Sequence, residues 1–180
     1  MQPLITQLIN KLKGAKRVVV LGVGSELRSD DAAGMLAAKA IDKKIKKGKK
    51  PAIAVLFGET APENLTGEIK KLKPTHLIII DAADISRKSG EVSLFGPENI
   101  KGVSFCTHQL PMNIMIDYLK NYIDCEIMVV GIQPKNLKVG NNLSKEVKIA
   151  VKYVADVILG AIYKDIKHVV HSNLNAKKGE

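Results

Sequence analysis

The sequence predicts an α/β domain whose parallel strands are covered by helices on both faces, and three observations carry that prediction. The apolar runs VVVL at 18–21, HLIIID at 76–81 and CEIMVVGIQP at 125–134 are continuous rather than alternating, as strands shielded on both sides are. Amphipathic segments of helical period separate them, which is the βαβ order. The first run ends in Gly22 and Gly24, which let the backbone turn sharply at the carboxyl end of a strand, where open α/β sheets bind their ligands.

The elements follow in order. A first helix spans roughly residues 4 to 13, with Leu4, Ile5, Leu8, Ile9 and Leu12 on one face. After the strand at 18–21, a helix is expected over 31–46, with Ser29 available as its N-cap and Asp30 and Asp31 at its start. AIAVLF at 52–57 is a second strand, and Pro62 suits the first turn of a helix whose apolar face is Leu65, Ile69 and Leu72. EVSLF at 91–95 alternates after the third strand, as an edge or antiparallel strand does. Pro111 starts a helix with Met112, Met115, Ile116 and Leu119 on one side, and the strand at 125–134 comes next. Ser144 is placed to cap the last long helix, whose stripe is Val147, Val151, Val154, Ile158 and Ile162. The pattern fades after Tyr163, so a single domain over 1–163 is expected, followed by a polar, basic tail over 164–180.

Composition narrows the function classes. At 180 residues, 46% hydrophobic and 26% charged, the chain is sized to bury one substantial core. No apolar run is long enough to cross a bilayer and the first helix is amphipathic rather than a signal peptide, so a cytoplasmic protein without a membrane partner is expected. Cys106 and Cys125 lie in apolar surroundings and read as buried, reduced thiols. The net charge of +10 comes mainly from lysine, Arg17, Arg28 and Arg87 being the only arginines. Much of it sits in KKIKKGKK at 43–50, with Lys177 and Lys178 in the tail. Aromatics are 4% of the chain, too few to interleave such lysines as nucleic-acid surfaces require. These lysines read as a solvated surface with weak attraction for an acidic partner, and no nucleic-acid partner is expected.

Gly22-Val23-Gly24 resembles the opening of a dinucleotide-binding turn, and Glu59 lies where a ribose-binding acid could sit. The third glycine of that fingerprint would fall on Leu27, however, and Asp30 and Asp31 would repel the phosphates from the helix start.

Asp31 follows the first strand, Asp81 terminates the third, and His108 lies in a loop before a helix, so all three can converge on the carboxyl edge of one sheet. Two carboxylates and an imidazole form an open oxygen and nitrogen set suited to a divalent transition metal. Taken singly, Asp31 could merely support a helix dipole, Asp81 cap a turn and His108 sit satisfied in its loop; spacing alone identifies neither metal nor reaction. No G-x-S-x-G elbow occurs, but Cys106 stands two residues before His108, which leaves a Cys–His nucleophile pair open. His168 and His171, near Asp165, have the spacing of a second metal site, although an exposed helix end accounts for them more simply.

The chain resembles the hydrogenase maturation endopeptidases, which trim the C-terminus of nickel-iron hydrogenase large-subunit precursors. The motifs that carry the resemblance are LGVGSELRSDDAAG at 21–34, GETAPEN at 58–64, DAAD at 81–84, THQLP at 107–111 and GIQP at 131–134, spread over residues 17 to 162. THQLP and APEN are most similar to the branch serving formate-hydrogenlyase-type hydrogenases.

The resemblance implies a three-layer α/β/α sandwich around a twisted, mostly parallel sheet. It implies that the metal-contacting and catalytic trio falls on Asp31, Asp81 and His108, and that the substrate precursor supplies the nickel, with no tightly bound metal in the free enzyme. Cleavage just beyond the precursor's last metal-binding motif would then let its new terminus close over the metal centre. A monomeric enzyme whose partner is the hydrogenase large-subunit precursor is expected, acting by metal-assisted amide hydrolysis. A non-cleaving nickel-binding maturation chaperone or a nucleotide-binding protein are the alternatives. Two positions depart from the family pattern: Ser25 stands where asparagine is usual and Ala32 where glycine follows the acidic pair. Asp30 is read as a helix-start charge and Asp84 as a turn residue or a support to the trio.

Overall fold

The computed structural model describes residues 2–45, 51–100, 103–105, 112–140 and 142–164. Its strands are β1 (Arg17–Val23), β2 (Ala52–Glu59), β3 (His76–Asp84), β4 (Val92–Phe95), β5 (Ser104–Phe105) and β6 (Glu126–Ile132). Five of them form the sheet in the order β2-β1-β3-β6-β4, and β5 pairs with the end of β3. The contacts of β1 with β2 and of β3 with β1 and β6 are parallel, whereas β4 lies antiparallel along β6 at the sheet edge, as the alternation at 91–95 predicts.

The continuous apolar runs are explained by the two faces of this sheet. Successive side chains of a strand point to opposite sides, so Val18, Val20, Ile78, Ile80, Met128 and Val130 feed one core. Val19, Leu21, Leu77, Ile79, Ile127 and Val129 feed the other. The first core is closed by α1 (Leu4–Lys11), α2 (Ala33–Lys44) and α5 (Lys145–Tyr163), through residues such as Leu8, Ile41, Val154 and Ile158. The second is closed by α3 (Thr66–Leu72) and α4 (Met112–Tyr122), through Ile69, Met115, Ile116 and Leu119. The result is the three-layer α/β/α sandwich with a mostly parallel sheet. Each such aliphatic side chain contributes about 1.5–3 kcal/mol on burial, and both faces of the central strands contribute it.

Three element starts differ from expectation. The helix expected from residue 31 begins as a 3-10 turn over Ser29–Ala32 and becomes α-helical only at Ala33. Pro62 likewise opens a 3-10 turn, Pro62–Leu65, ahead of α3. Ser144 precedes α5 but makes no side-chain cap, because its hydroxyl is used elsewhere. At its other end α5 stops at Tyr163, where Lys164 takes a left-handed conformation and its N–H returns to the Gly160 carbonyl. Among the described residues no helix is long and apolar enough to cross a membrane. The lysines within 46–50, Lys177, Lys178, Asp165, His168 and His171 lie outside the described residues.

Candidate active site

The site is built where β1 ends. Gly24 has φ +125°, and a Cβ there would sit 1.8 Å from the Asp31 carbonyl oxygen, so only glycine lets the loop fold back onto the turn that carries Asp31. The Gly24 N–H donates to the Glu59 carbonyl at 2.8 Å, tying this loop to the end of β2. One turn later, a Cβ on Gly34 would lie 2.1 Å from the Ile80 carbonyl oxygen and 2.3 Å from that of Val23. Helix α2 is therefore seated directly on the carboxyl ends of β1 and β3. The turn bearing Asp31 packs on β3, whose residue after Ile80 is Asp81.

Asp31 and Asp81 are both fully buried. Oδ2 of Asp31 accepts the Ser25 N–H at 2.8 Å, while its Oδ1 is buried without a hydrogen-bond partner among the described residues. A carboxylate oxygen removed from water and given no donor is costly, and a cation or a proton donor is what that position lacks. Asp81 stands opposite Gly131 in the β3–β6 pairing and has interactions of its own. His108, the third member of the expected trio, lies outside the described residues, as does Cys106. The described chain reaches Phe105, paired with Ala83 two residues beyond Asp81, and resumes at Met112. Among the described residues no group of three His, Cys, Asp or Glu side chains could hold a metal ion. The two carboxylates alone do not make a complete ligand set.

Asp30 stands in the turn that leads into α2, as the reading of a helix-start charge has it, but it does more than charge the helix start. It is fully buried, and both its oxygens are saturated from the segment between β6 and α5. Oδ2 accepts the N–H groups of Lys135 and Asn136 at 2.9 Å each and the Ser144 hydroxyl at 2.9 Å; Oδ1 accepts the Ser144 N–H at 2.7 Å. This is why Ser144 does not cap α5. Nor does Ser29 cap α2: it sits inside the 3-10 turn at φ +44°, where Asn136 Nδ2 donates to its hydroxyl at 3.4 Å.

The same turn closes off phosphate binding. The N–H of Ser29 donates to the Gly140 carbonyl at 2.6 Å, that of Asp30 to Asn136 at 3.0 Å and that of Asp31 to Arg28 at 3.0 Å. The donors a pyrophosphate would need are consumed, so the dinucleotide reading fails on geometry as well as on charge.

Gln133 carries no chemical signal of its own in the sequence, yet it organises the loop after β3. Its Oε1 accepts the N–H groups of Ile85 at 2.8 Å and Arg87 at 3.2 Å, and its Nε2 donates to Asp84 Oδ1 at 3.4 Å. Asp84 also accepts the Ser86 N–H at 3.0 Å, which makes it the turn residue expected. Only its place in GIQP marks Gln133 in the sequence. Of the two departures from the family motif, Ser25 contributes its main-chain N–H to Asp31, which any residue supplies, and Ala32 has φ −67°, so no glycine is needed there. Cys125 is a free thiol that burial pushes up to about 12, an inert setting at neutral pH.

A family model described as hydrogenase maturation protease matches residues 37–161. The chain belongs to the hydrogenase maturation proteases. The Hydrogenase 3 maturation protease of Escherichia coli is 36% identical over 137 residues, covering 76% of this chain and 85% of the relative. The crystal structure of a [NiFe] hydrogenase maturation protease from Thermococcus kodakarensis superposes with a TM-score of 0.78 at 27% identity, over 87% of this chain and 99% of that one. The solution structure of an Escherichia coli endopeptidase of the same group gives a TM-score of 0.68 at 31% identity, over 80% and 90% of the two chains. As a maturation protease the chain is an enzyme, which sets aside the chaperone and nucleotide alternatives. The α/β architecture with a mostly parallel sheet is that of these neighbours.

Proposed function

We propose that this maturation protease removes the C-terminal extension of a nickel-iron hydrogenase large-subunit precursor, with the precursor's own nickel as the recognition element. The observation that carries the reading is the buried Oδ1 of Asp31, which has no hydrogen-bond partner among the described residues, in a turn that packs on β3, the strand that carries Asp81. His108 is proposed as the third member on the strength of the THQLP motif, which follows Phe105 in the chain, and Phe105 pairs with Ala83, two residues beyond Asp81. Two carboxylates and an imidazole bind a divalent ion more weakly than four protein ligands do, and thiolates of the precursor would supply the remainder.

In the reaction, a water adds to the scissile carbonyl, the C–N bond breaks, and a proton passes to the leaving amine. Asp31, Asp81 and His108 hold the substrate's metal, and with it the scissile bond, at the sheet edge, so that the barrier falls through positioning and polarisation. The enzyme is proposed to act as a cytoplasmic monomer and to serve a hydrogenase of the formate-hydrogenlyase type. The test is incubation of the purified protein with nickel-loaded large-subunit precursor, followed by mass spectrometry of both products. A precursor shortened by a discrete C-terminal peptide is the expected result; an unchanged mass with each candidate precursor contradicts the proposal.

A further inference from the structure

Beside the site, two loops distant in sequence form a short ribbon. Arg28 and Gly140 make a parallel bridge, with the Gly140 N–H donating to the Leu27 carbonyl at 2.9 Å and the Ser29 N–H to the Gly140 carbonyl at 2.6 Å. Leu27 and Val139 each stand one residue before the bridged pair, at matching positions of the two segments. Both side chains are open to solvent, Leu27 by 69% and Val139 by 87%. Most of the large apolar residues among those described are buried, so two aliphatic residues left in water on segments joined by main-chain hydrogen bonds are a cost that binding would relieve. The rim is basic: Arg28, Lys135 and Lys138 line one shallow groove with Val139. Lys135 is paired with Glu146 at 2.7 Å, and the Arg28 Nε–H donates to the Leu137 carbonyl at 3.3 Å. The ribbon is also fixed to the site, since Asp30 takes the N–H groups of Lys135 and Asn136 and is followed directly by Asp31.

From this we infer that the Leu27–Val139 ribbon is the docking element for the precursor, seating a segment that offers an apolar side chain flanked by carboxylates. The inference rests on the cleavage reading above and adds where the substrate is held. Its continuity with the Asp30–Asp31 turn explains why this surface, and not another, would be the one engaged: whatever binds the ribbon lies a few residues from the candidate catalytic carboxylate. Apolar contact would supply the hold and the basic rim would speed encounter with an acidic segment.

The test uses the full chain carrying Leu27→Ser with Val139→Ser, and separately Lys138→Glu, each measured with nickel-loaded large-subunit precursor for binding by interferometry and for cleavage by mass spectrometry. Both changes are at exposed positions, and an unchanged Tm verifies folding. The double variant is expected to weaken Kd and raise KM by about 10-fold with kcat unchanged, and Lys138→Glu to slow association in a way that salt erases. Unchanged Kd and KM in the double variant overturn the inference. If the wild type binds precursor but leaves it uncut, the cleavage reading falls, and the ribbon stands or falls on whether the double variant loses that binding. If the wild type does not bind at all, both fall. If instead the wild type self-associates in sedimentation and the double variant does not, the ribbon serves a second copy and the precursor assignment is overturned.

Discussion

Asp30 and Asp31 are neighbours in the chain and both fully buried, yet among the described residues they are in opposite states: Asp30 receives four hydrogen bonds, whereas Asp31 receives one and its Oδ1 has no donor. The first carboxylate is consumed in joining two loops. The second follows that anchored residue directly, so the acidic pair divides into a structural support and the carboxylate proposed to act on the substrate.

Asp31→Asn, Asp81→Asn and His108→Ala are each expected to lower precursor cleavage at least about 100-fold while leaving far-UV circular dichroism and Tm close to wild type. A folded single variant that cuts at the wild-type rate removes that residue from the mechanism.

Asp30→Ala should act mainly on stability. It leaves three main-chain N–H groups and a hydroxyl without their acceptor in a buried setting, a loss of about 3–5 kcal/mol for a broken buried charge network. Thermal unfolding should show Tm lowered by about 10 °C, with a parallel loss of activity as the Asp31 turn loosens. A Tm within a degree of wild type would mean that the four hydrogen bonds contribute nothing net.

Gly34→Ala places a methyl group against the Ile80 and Val23 carbonyl oxygens at distances no side chain tolerates, and both contacts are backbone. Helix α2 must move off β1 and β3, at a cost of about 3 kcal/mol or more, and Asp31 moves with it. Denaturant unfolding and cleavage assays should both report the change.

His76 supplies a pH signature at the other end of the sheet. Burial lowers its pKa below the ordinary histidine value despite a hydrogen bond to the Lys11 main chain and the nearby Glu126 carboxylate. The unfolded chain then takes up the proton more readily, so the stability His76 confers is complete above about pH 6.5 and declines as pH falls below it toward the folded value. The Tm difference between wild type and His76→Gln should shrink between pH 7.5 and 5.5; a constant difference contradicts the shift.

Removing residues 165–180 should spare folding and cleavage, because the apolar stripe of α5 ends at Ile162 and the helix is terminated at Lys164. Aggregation or lost turnover of the shortened protein would place the domain boundary later in the chain.

The sheet was legible because its information is local: burial at every position from Leu77 to Ile80 requires two covered faces, and that pattern is visible in LIII itself. Asp31 and Asp81 were legible for the same reason, each following an apolar run at the carboxyl end of a strand. The role of Asp30 was not, since its donors lie 105 to 114 residues away and no periodicity records them. Ser144 and Ser29 have the composition of helix caps, and long-range hydrogen bonds claimed their hydroxyls instead. Leu27 and Val139 are unremarkable in the sequence and become a pair only through the bridge of Arg28 to Gly140.

The central claim is that nickel in the precursor licenses cutting at Asp31, Asp81 and His108. It is tested most directly by incubating the purified enzyme with one precursor prepared with and without nickel and following the released C-terminal peptide by mass spectrometry. Release from the nickel-loaded form alone, by enzyme that carries no stoichiometric metal, is the predicted result. Equal cleavage of the nickel-free precursor, or a stoichiometric metal in the active free enzyme, would contradict it.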